Sequence, residues 1–197
     1  MVTTGFSRIH VAKYSATGST VSYTDCKELA RARNMDTDIS TTEDNNYYAN
    51  NQLAETEPAA FKEGSLKLTV DGLSAEEEAM ILGIAESTRT VNGQEVAVIN
   101  YGNKMNPPYL GVGAVKRMQL KGTVSYRPII LTKTRFAIPP EAMETQEESI
   151  NWQDQELNAT IMRDDSTEQN WKIIPKTNFQ TEAEAVAFIV AVLGGKA

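Results

Sequence analysis

One cysteine and one histidine are all that 197 residues provide of the two side chains on which Ser-His, Cys-His and histidine-based zinc sites draw. Most enzyme classes are thereby disfavoured before any motif is read. Cys26 cannot close an internal disulfide, and so little sulfur chemistry suits a chain folded in a reducing compartment. Cations are also scarce. The 19 Lys+Arg face 26 Asp+Glu, for a net charge of -7, so the average surface repels phosphate and counterion release cannot supply general nucleic-acid affinity. The most apolar run, Ala183 to Leu193, falls far short of the roughly 20 residues of a membrane span. Met1 to Phe6 has neither a basic nor an apolar region of a secretion signal. The expectation is an acidic, soluble, intracellular product forming one domain over residues 1–197, with a core that needs no cystine or metal staple.

What is present alternates with the period of strands. Phe6 to Tyr14, the turn cluster Ser15 to Ser19, and Thr20 to Tyr23 read as a first hairpin. Met35 to Thr41 alternates acids with Ile39 and Thr37, as a strand with one wet face does. Residues 42–63 are polar and irregular. A stretch of that length within a domain is either a solvated excursion, in the form of a small hairpin at most, or functional, and its Tyr47, Tyr48 and Leu53 favour a contact surface. Ser65 to Val70 alternates cleanly. Ser74-Ala75-Glu76-Glu77 is a capping box opening a short helix that Gly83 ends.

Val91-Asn92-Gly93-Gln94 signals a hairpin turn into Glu95 to Asn100, with Val96 and Val98 sharing a face. Asn106-Pro107-Pro108 interrupts the chain before strands at Tyr109 to Met118 and Gly122 to Phe136, the second carrying Pro128, which argues for an edge, bulge or bend. Further strands are expected at Ser149 to Asp154, Leu157 to Arg163 and Trp171 to Pro175. Thr181-Glu182-Ala183-Glu184 is a second capping box, heading a helix that is apolar around nearly its whole circumference. Its cover is either its own sheet or its own sheet together with a neighbouring subunit. Eight or more short strands with two short helices and no regular alternation predict a mainly β (α+β) fold, an antiparallel β-sandwich or rolled barrel with flanking helices.

No catalytic constellation emerges. Gly111-Val112-Gly113 lacks the third glycine of a dinucleotide fingerprint and the Gly-Lys-Ser/Thr ending of a P-loop. The pairs Glu147-Glu148 and Asp164-Asp165 read as solvated surface, His10 as a packed or surface residue, and Cys26 as a small apolar side chain. No cofactor or metal is expected.

The order of these elements carries a resemblance. Thr3-Thr4-Gly5-Phe6-Ser7 before a strand, the acidic strand Met35 to Ser40 and the stretch Asp44 to Asn51 come first. Leu66 to Glu78 with its acid-capped helix, Tyr126 to Lys133 and the C-terminal Thr181 to Ala185 follow. Together they resemble the major tail tube proteins of long non-contractile-tailed bacteriophages infecting Gram-positive bacteria, over essentially the whole chain. The resemblance implies a structural, non-enzymatic protein whose six copies close a ring around an inner β-barrel, the rings stacking into a tube that DNA passes without adhering. It implies that residues 42–63 form the stacking loop, with Asp44, Asn45, Asn46, Tyr47, Tyr48, Asn50, Leu53 and Glu55 at the interface, and that residues 181–197 form a helix and tail. The implied partners are the chain itself, a tape measure protein, and tail initiator or terminator proteins, with no membrane; the implied location is host cytoplasm, then virion tail. Pro128 departs from the family's pattern and sets itself against an unbroken lumen-lining strand. The loop is expected to be disordered until stacking orders it. Two rival readings are a virion-surface β-sandwich binding a receptor or glycan, which would draw on Trp152 and Trp171, and a carboxylate-based hydrolase.

Overall fold

The chain begins with two long strands, β1 (Val2–Thr17) and β2 (Thr20–Glu28), paired through the turn expected at Ser15 to Ser19. The computed structural model describes residues 2–103, 105–141, 145 and 153–195. The remaining elements are β3 (Ala32–Thr41), β4 (Asn45–Ala49), β5 (Gln52–Glu57), β6 (Phe61–Val70), α1 (Ala75–Leu82), β7 (Glu86–Val91), β8 (Gln94–Ile99), β9 (Leu110–Leu120), β10 (Thr123–Phe136), β11 (Gln155–Met162), β12 (Lys172–Ile173) and α2 (Glu182–Val192). The strand expected at Ser149 to Asp154 falls largely outside the described residues, as do Glu147, Glu148, Trp152 and the last two residues of the chain.

The main sheet is antiparallel, in the order β2-β1-β9-β10-β11-β6-β3, with β12 beside β10. Its strands alternate as the sequence does: in β6, Leu66, Leu68 and Val70 are buried while Ser65 and Lys67 are exposed. The buried face is shared. Ile9 and Val11 of β1, Leu66 and Leu68 of β6, Val112 of β9, Leu131 of β10 and Ile161 of β11 belong to one cluster, closed at one end by Ile81 and Leu82 of α1. β1, second from one end of the order, and β3, at the other end, approach within 8 Å between Cα atoms. The sheet is therefore rolled around its core, as expected. At about 1.5–3 kcal/mol for each large side chain buried, this interior is what holds the fold.

Both helices begin as their capping boxes dictate. The Ser74 amide donates to Glu77 Oε2 at 2.7 Å while the Glu77 amide donates to Ser74 Oγ at 3.3 Å, and Thr181 and Glu184 repeat the exchange at 3.1 and 3.3 Å. Gly83 ends α1 in the left-handed region. Helix α2 lies on the outer face of β1, β9 and β10, where Ala185, Ile189 and Leu193 are fully buried against Ala12, Val115 and Ile130. Gly111 and Gly113 explain themselves here: a Cβ on Gly113 would sit 2.3 Å from Ile189 Cγ2, and one on Gly111 2.7 Å from Leu193 Cδ2. These glycines form the groove that admits the helix. Its own sheet covers one side of α2, and the opposite side is economical in apolar area because Ala183, Ala187 and Ala191 are what it exposes.

Pro128 neither ends nor bends its strand into an edge. β10 runs unbroken from Thr123 to Phe136, with Pro128 opposite Val115 of β9. Tyr126 donates to the Phe179 carbonyl at 2.9 Å and Thr132 to the Trp171 carbonyl at 3.2 Å, so amides of this parity point away from β9. Pro128 falls between these two contacts, where a missing N–H costs no ladder bond.

Candidate functional site

The stretch read as an irregular loop is a hairpin. Asn50 and Asn51, at φ 52° and 61°, form a two-residue turn joining β4 to β5, which pair only with each other. Asparagine is among the few residues with a side chain that enters the left-handed region readily, and two such residues in succession suit the turn whose twist matches paired strands. Of the alternatives open to this stretch, the small hairpin is the one that forms. Both faces of the hairpin are wet, so the apolar alternation that reveals a half-buried strand is missing.

Cross-strand register assigns the candidate residues to different tasks. Tyr48 stands opposite Leu53 on one face, and Tyr47 opposite Glu55 on the other, with Asn45 opposite Glu57 one pair further along; a bulge separates the two tyrosine pairs. Tyr47 and Tyr48 are each 64% exposed and Leu53 55%. Asp44, Asn46 and Asn50 work within the arm instead. The Asp44 carboxylate accepts the Ala59 amide at 2.7 Å, Asn46 accepts the Thr56 hydroxyl at 2.9 Å, and Asn50 occupies the turn. From Thr42 to Phe61 the sequence contains Glu43, Asp44, Glu55 and Glu57 and no lysine or arginine, so the arm is wholly anionic.

The arm's root is firmly held by residues that sequence reading did not single out. Thr42 and Ala60 exchange bonds, amide to carbonyl at 2.8 Å and amide to hydroxyl at 2.9 Å. The Phe61 ring stacks on Trp171 with centroids 4.9 Å apart and planes at 9°. The Arg163 guanidinium donates to the Phe61 carbonyl and lies over its ring, 5.8 Å from the centroid. Such a stack contributes about 0.5–1.5 kcal/mol beyond area burial. Nothing in the sequence links Phe61 to Trp171; only the placement of β12 beside β10 brings them together.

A second arm, β7–β8, turns at Asn92-Gly93 as expected and also pairs only with itself. Val91 and Val96 are exposed. Its root is tied by Asn100, which donates to Ser87 Oγ at 2.6 Å, and by Tyr101, whose hydroxyl donates to Glu78 Oε2 of α1 at 2.8 Å. Partial burial and then this carboxylate push the Tyr101 phenol up to about 12.

Of the Asp164-Asp165 pair, expected as solvated surface, Asp165 is exposed as expected and Asp164 is built into the fold. Asp164 is buried and accepts from the Ser166 amide and hydroxyl. Asp165 accepts from Lys133 Nζ at 2.7 Å and from the Tyr14 hydroxyl at 2.6 Å, and the Lys133 ammonium, followed by Tyr14, holds its carboxyl below the usual range. Lys133 lies 5.0 and 4.7 Å from the ring centroids of Tyr14 and Tyr109. The cluster fastens the turn after β11 to β1 and β10. His10 is packed against the backbone, its Nδ1 3.1 Å from the Arg8 carbonyl oxygen, and burial pushes the half-buried Cys26 thiol up. Among the described residues no helix is long and apolar enough to cross a membrane, and no three His, Cys, Asp or Glu side chains gather into a cation-holding group. No family model matches the chain, and no curated protein is recognisably similar to it.

Proposed function

We propose that the chain is a structural subunit that polymerises into rings, six copies to a ring by its resemblance, and that the rings stack into the tail tube of a long-tailed bacteriophage. One observation carries this reading: an anchored, self-paired arm with exposed Tyr47, Tyr48 and Leu53 rises from a rolled sheet. A side-chain set of that kind in water has a cost unless a partner covers it. The outer edges of β2 and β3, each paired on one side only among the described residues, support the same reading, because a closed ring of subunits removes such edges. Assembly takes place in the host cytoplasm, and the finished tube joins the virion with a tape measure protein inside and initiator or terminator proteins at its ends. DNA passes as cargo, and a net charge of -7 per subunit favours a wall that repels phosphate.

A receptor- or glycan-binding sandwich would need a concave aromatic patch; Tyr47 and Tyr48, more exposed than Tyr101 and Tyr109, stand on a projecting arm, and Trp171 is taken up by its stack with Phe61. Electron microscopy of the purified protein tests the proposal. Tubes or six-fold rings are expected, and dispersed single particles at every concentration would overturn it.

A further inference from the structure

Among the described residues the rolled sheet does not close: Val2 to Ser7 of β1 lie beyond the end of β2 and pair with β9 alone, while β3 pairs with β6 alone. Between these two free edges opens a cavity of about 300 Å³, lined by Phe6 of β1, Met35 of β3, Lys116 of β9, Ile129 and Leu131 of β10, and Lys172 of β12. Its floor is apolar and its rim is cationic.

The register explains the rim. Phe6, Lys116 and Arg127 are cross-strand neighbours over β1, β9 and β10, so a ring and two cations stand in one row on the inner face. Lys172 lies opposite Leu131 and faces the same side. Burial, with Lys116 adding to it, pushes its ammonium below the ordinary lysine value. Although acids outnumber bases, none of Lys116, Arg127 and Lys172 has a carboxylate at ion-pair distance among the described residues, and unlike the equally unpaired Lys62, Arg89, Lys121, Arg135, Arg163 and Lys176, which are exposed, they are half-buried. Lys116 and Lys172, half-buried beside an apolar floor, repel each other, while Arg127 in the same row donates through Nε to Asn178 Oδ1 at 2.7 Å; an arriving carboxylate removes the cost of that repulsion.

The molecule carries the complementary shape on its own arm. One face of β4–β5 presents the Tyr47 ring beside the Glu55 carboxylate, with Glu57 one pair along, and no cation stands in the arm. We infer that the opening between β1 and β3 receives the β4–β5 arm of a second copy, with Tyr47 over the apolar floor and Glu55 and Glu57 on Lys116, Arg127 and Lys172. Donor and receiver are different patches of the same surface, so the contact is head-to-tail and propagates instead of ending at a dimer. The assignment rests on reading the chain as a self-assembling subunit, and it names the receiving surface that this reading leaves open.

Charge exchange between full-length chains tests it. One variant reverses the receiver (Lys116→Glu with Arg127→Glu), and the other reverses the donor (Glu55→Lys with Glu57→Lys). Sedimentation should show that each alone needs at least about tenfold more protein to associate than the wild type, consistent with hot-spot losses. Mixed one to one, the two should associate again, and added salt should weaken the mixture. Unchanged association of the donor variant overturns the assignment, and this arm carries no core residue, so misfolding cannot mimic the result. Failure of the two folded variants to recover on mixing also overturns it. Tubes that grow normally from the receiver variant sink the receiving site and leave the tube reading standing. Wild-type association that is restored by charge exchange but yields no tube does the reverse. Protection of the opening by inorganic phosphate with no response to either reversal would make it a small-anion site and overturn the assignment.

Discussion

The two hairpin arms share a backbone plan and differ in nearly everything else. Each turns through two residues at positive φ, and each pairs only with itself. β4–β5 is anionic and aromatic, and its root is gripped by an aromatic stack, a guanidinium and backbone amides. β7–β8 exposes valines, includes Arg89 among its charges, and is tied to α1 by a phenol and a carboxylate. Backbone geometry alone therefore does not decide what an arm offers a partner. The difference lies in what the faces present and in how stiffly the root aims them.

Removing each arm in turn is the largest test of that contrast. Replacing Asn45 to Glu57 by a short Gly-Ser turn should abolish tube growth seen by electron microscopy while leaving the melting temperature nearly unchanged, because the arm buries almost nothing. The same operation on Glu86 to Ile99 should leave tubes growing. A reversed outcome would exchange the roles of the two arms. Next in size, Tyr47→Ala with Tyr48→Ala should weaken association in sedimentation by roughly 10- to 100-fold, as loss of interface aromatics does, against a few-fold at most for Val91→Ser with Val96→Ser. Equal losses at the two arms would erase the distinction.

The roots provide smaller effects. Phe61→Leu should cost about 1 kcal/mol in a denaturant titration and shift Trp171 emission, since the stack is lost but the apolar volume largely kept. An unshifted emission would mean that the stack does not hold the arm. Alkali should separate the roots at the smallest scale. A phenol raised to about 12 in the fold, against about 10 in an unfolded chain, adds stability that is complete below pH 10 and is lost as pH rises through 12. Amide protection, taken relative to the intrinsic base-catalysed exchange rate, should fall over Ser87 to Asn100 across that window and not over Thr42 to Ala60, and Tyr101→Phe should remove the dependence.

What the sequence made legible follows the same physical divide. Strands with one dry face announced themselves by alternation, and both helix starts were readable because a capping box is local chemistry between residues three apart. Asn92-Gly93 was readable for a similar reason, while Asn50-Asn51 was not, since both faces of its hairpin are wet and no apolar period marks the strands. Gly111 and Gly113 failed as a nucleotide motif on their own pattern, but what they are for shows only once α2 is placed over them. Asp164 and Asp165 looked solvated because their partners, Ser166 apart, come from β1 and β10, far away in the chain. The grip on Phe61 and the cationic row at Lys116 likewise depend on which strands become neighbours, which a single sequence does not state. Legibility was thus good where a cap or an apolar period marks a local cause, and poor where no such mark exists or the cause arises from the rolling of the sheet.

The shortest strand has a mechanical consequence. β12 has only two residues, yet Trp171 immediately before it carries the ring on which the arm's root rests, and Lys172 looks into the opening between β1 and β3. One peptide unit separates the lever from the latch. Lys172 and the base of the β4–β5 arm are thus coupled through a single planar peptide, so that a displacement at the opening and a displacement at the arm's root are the same movement.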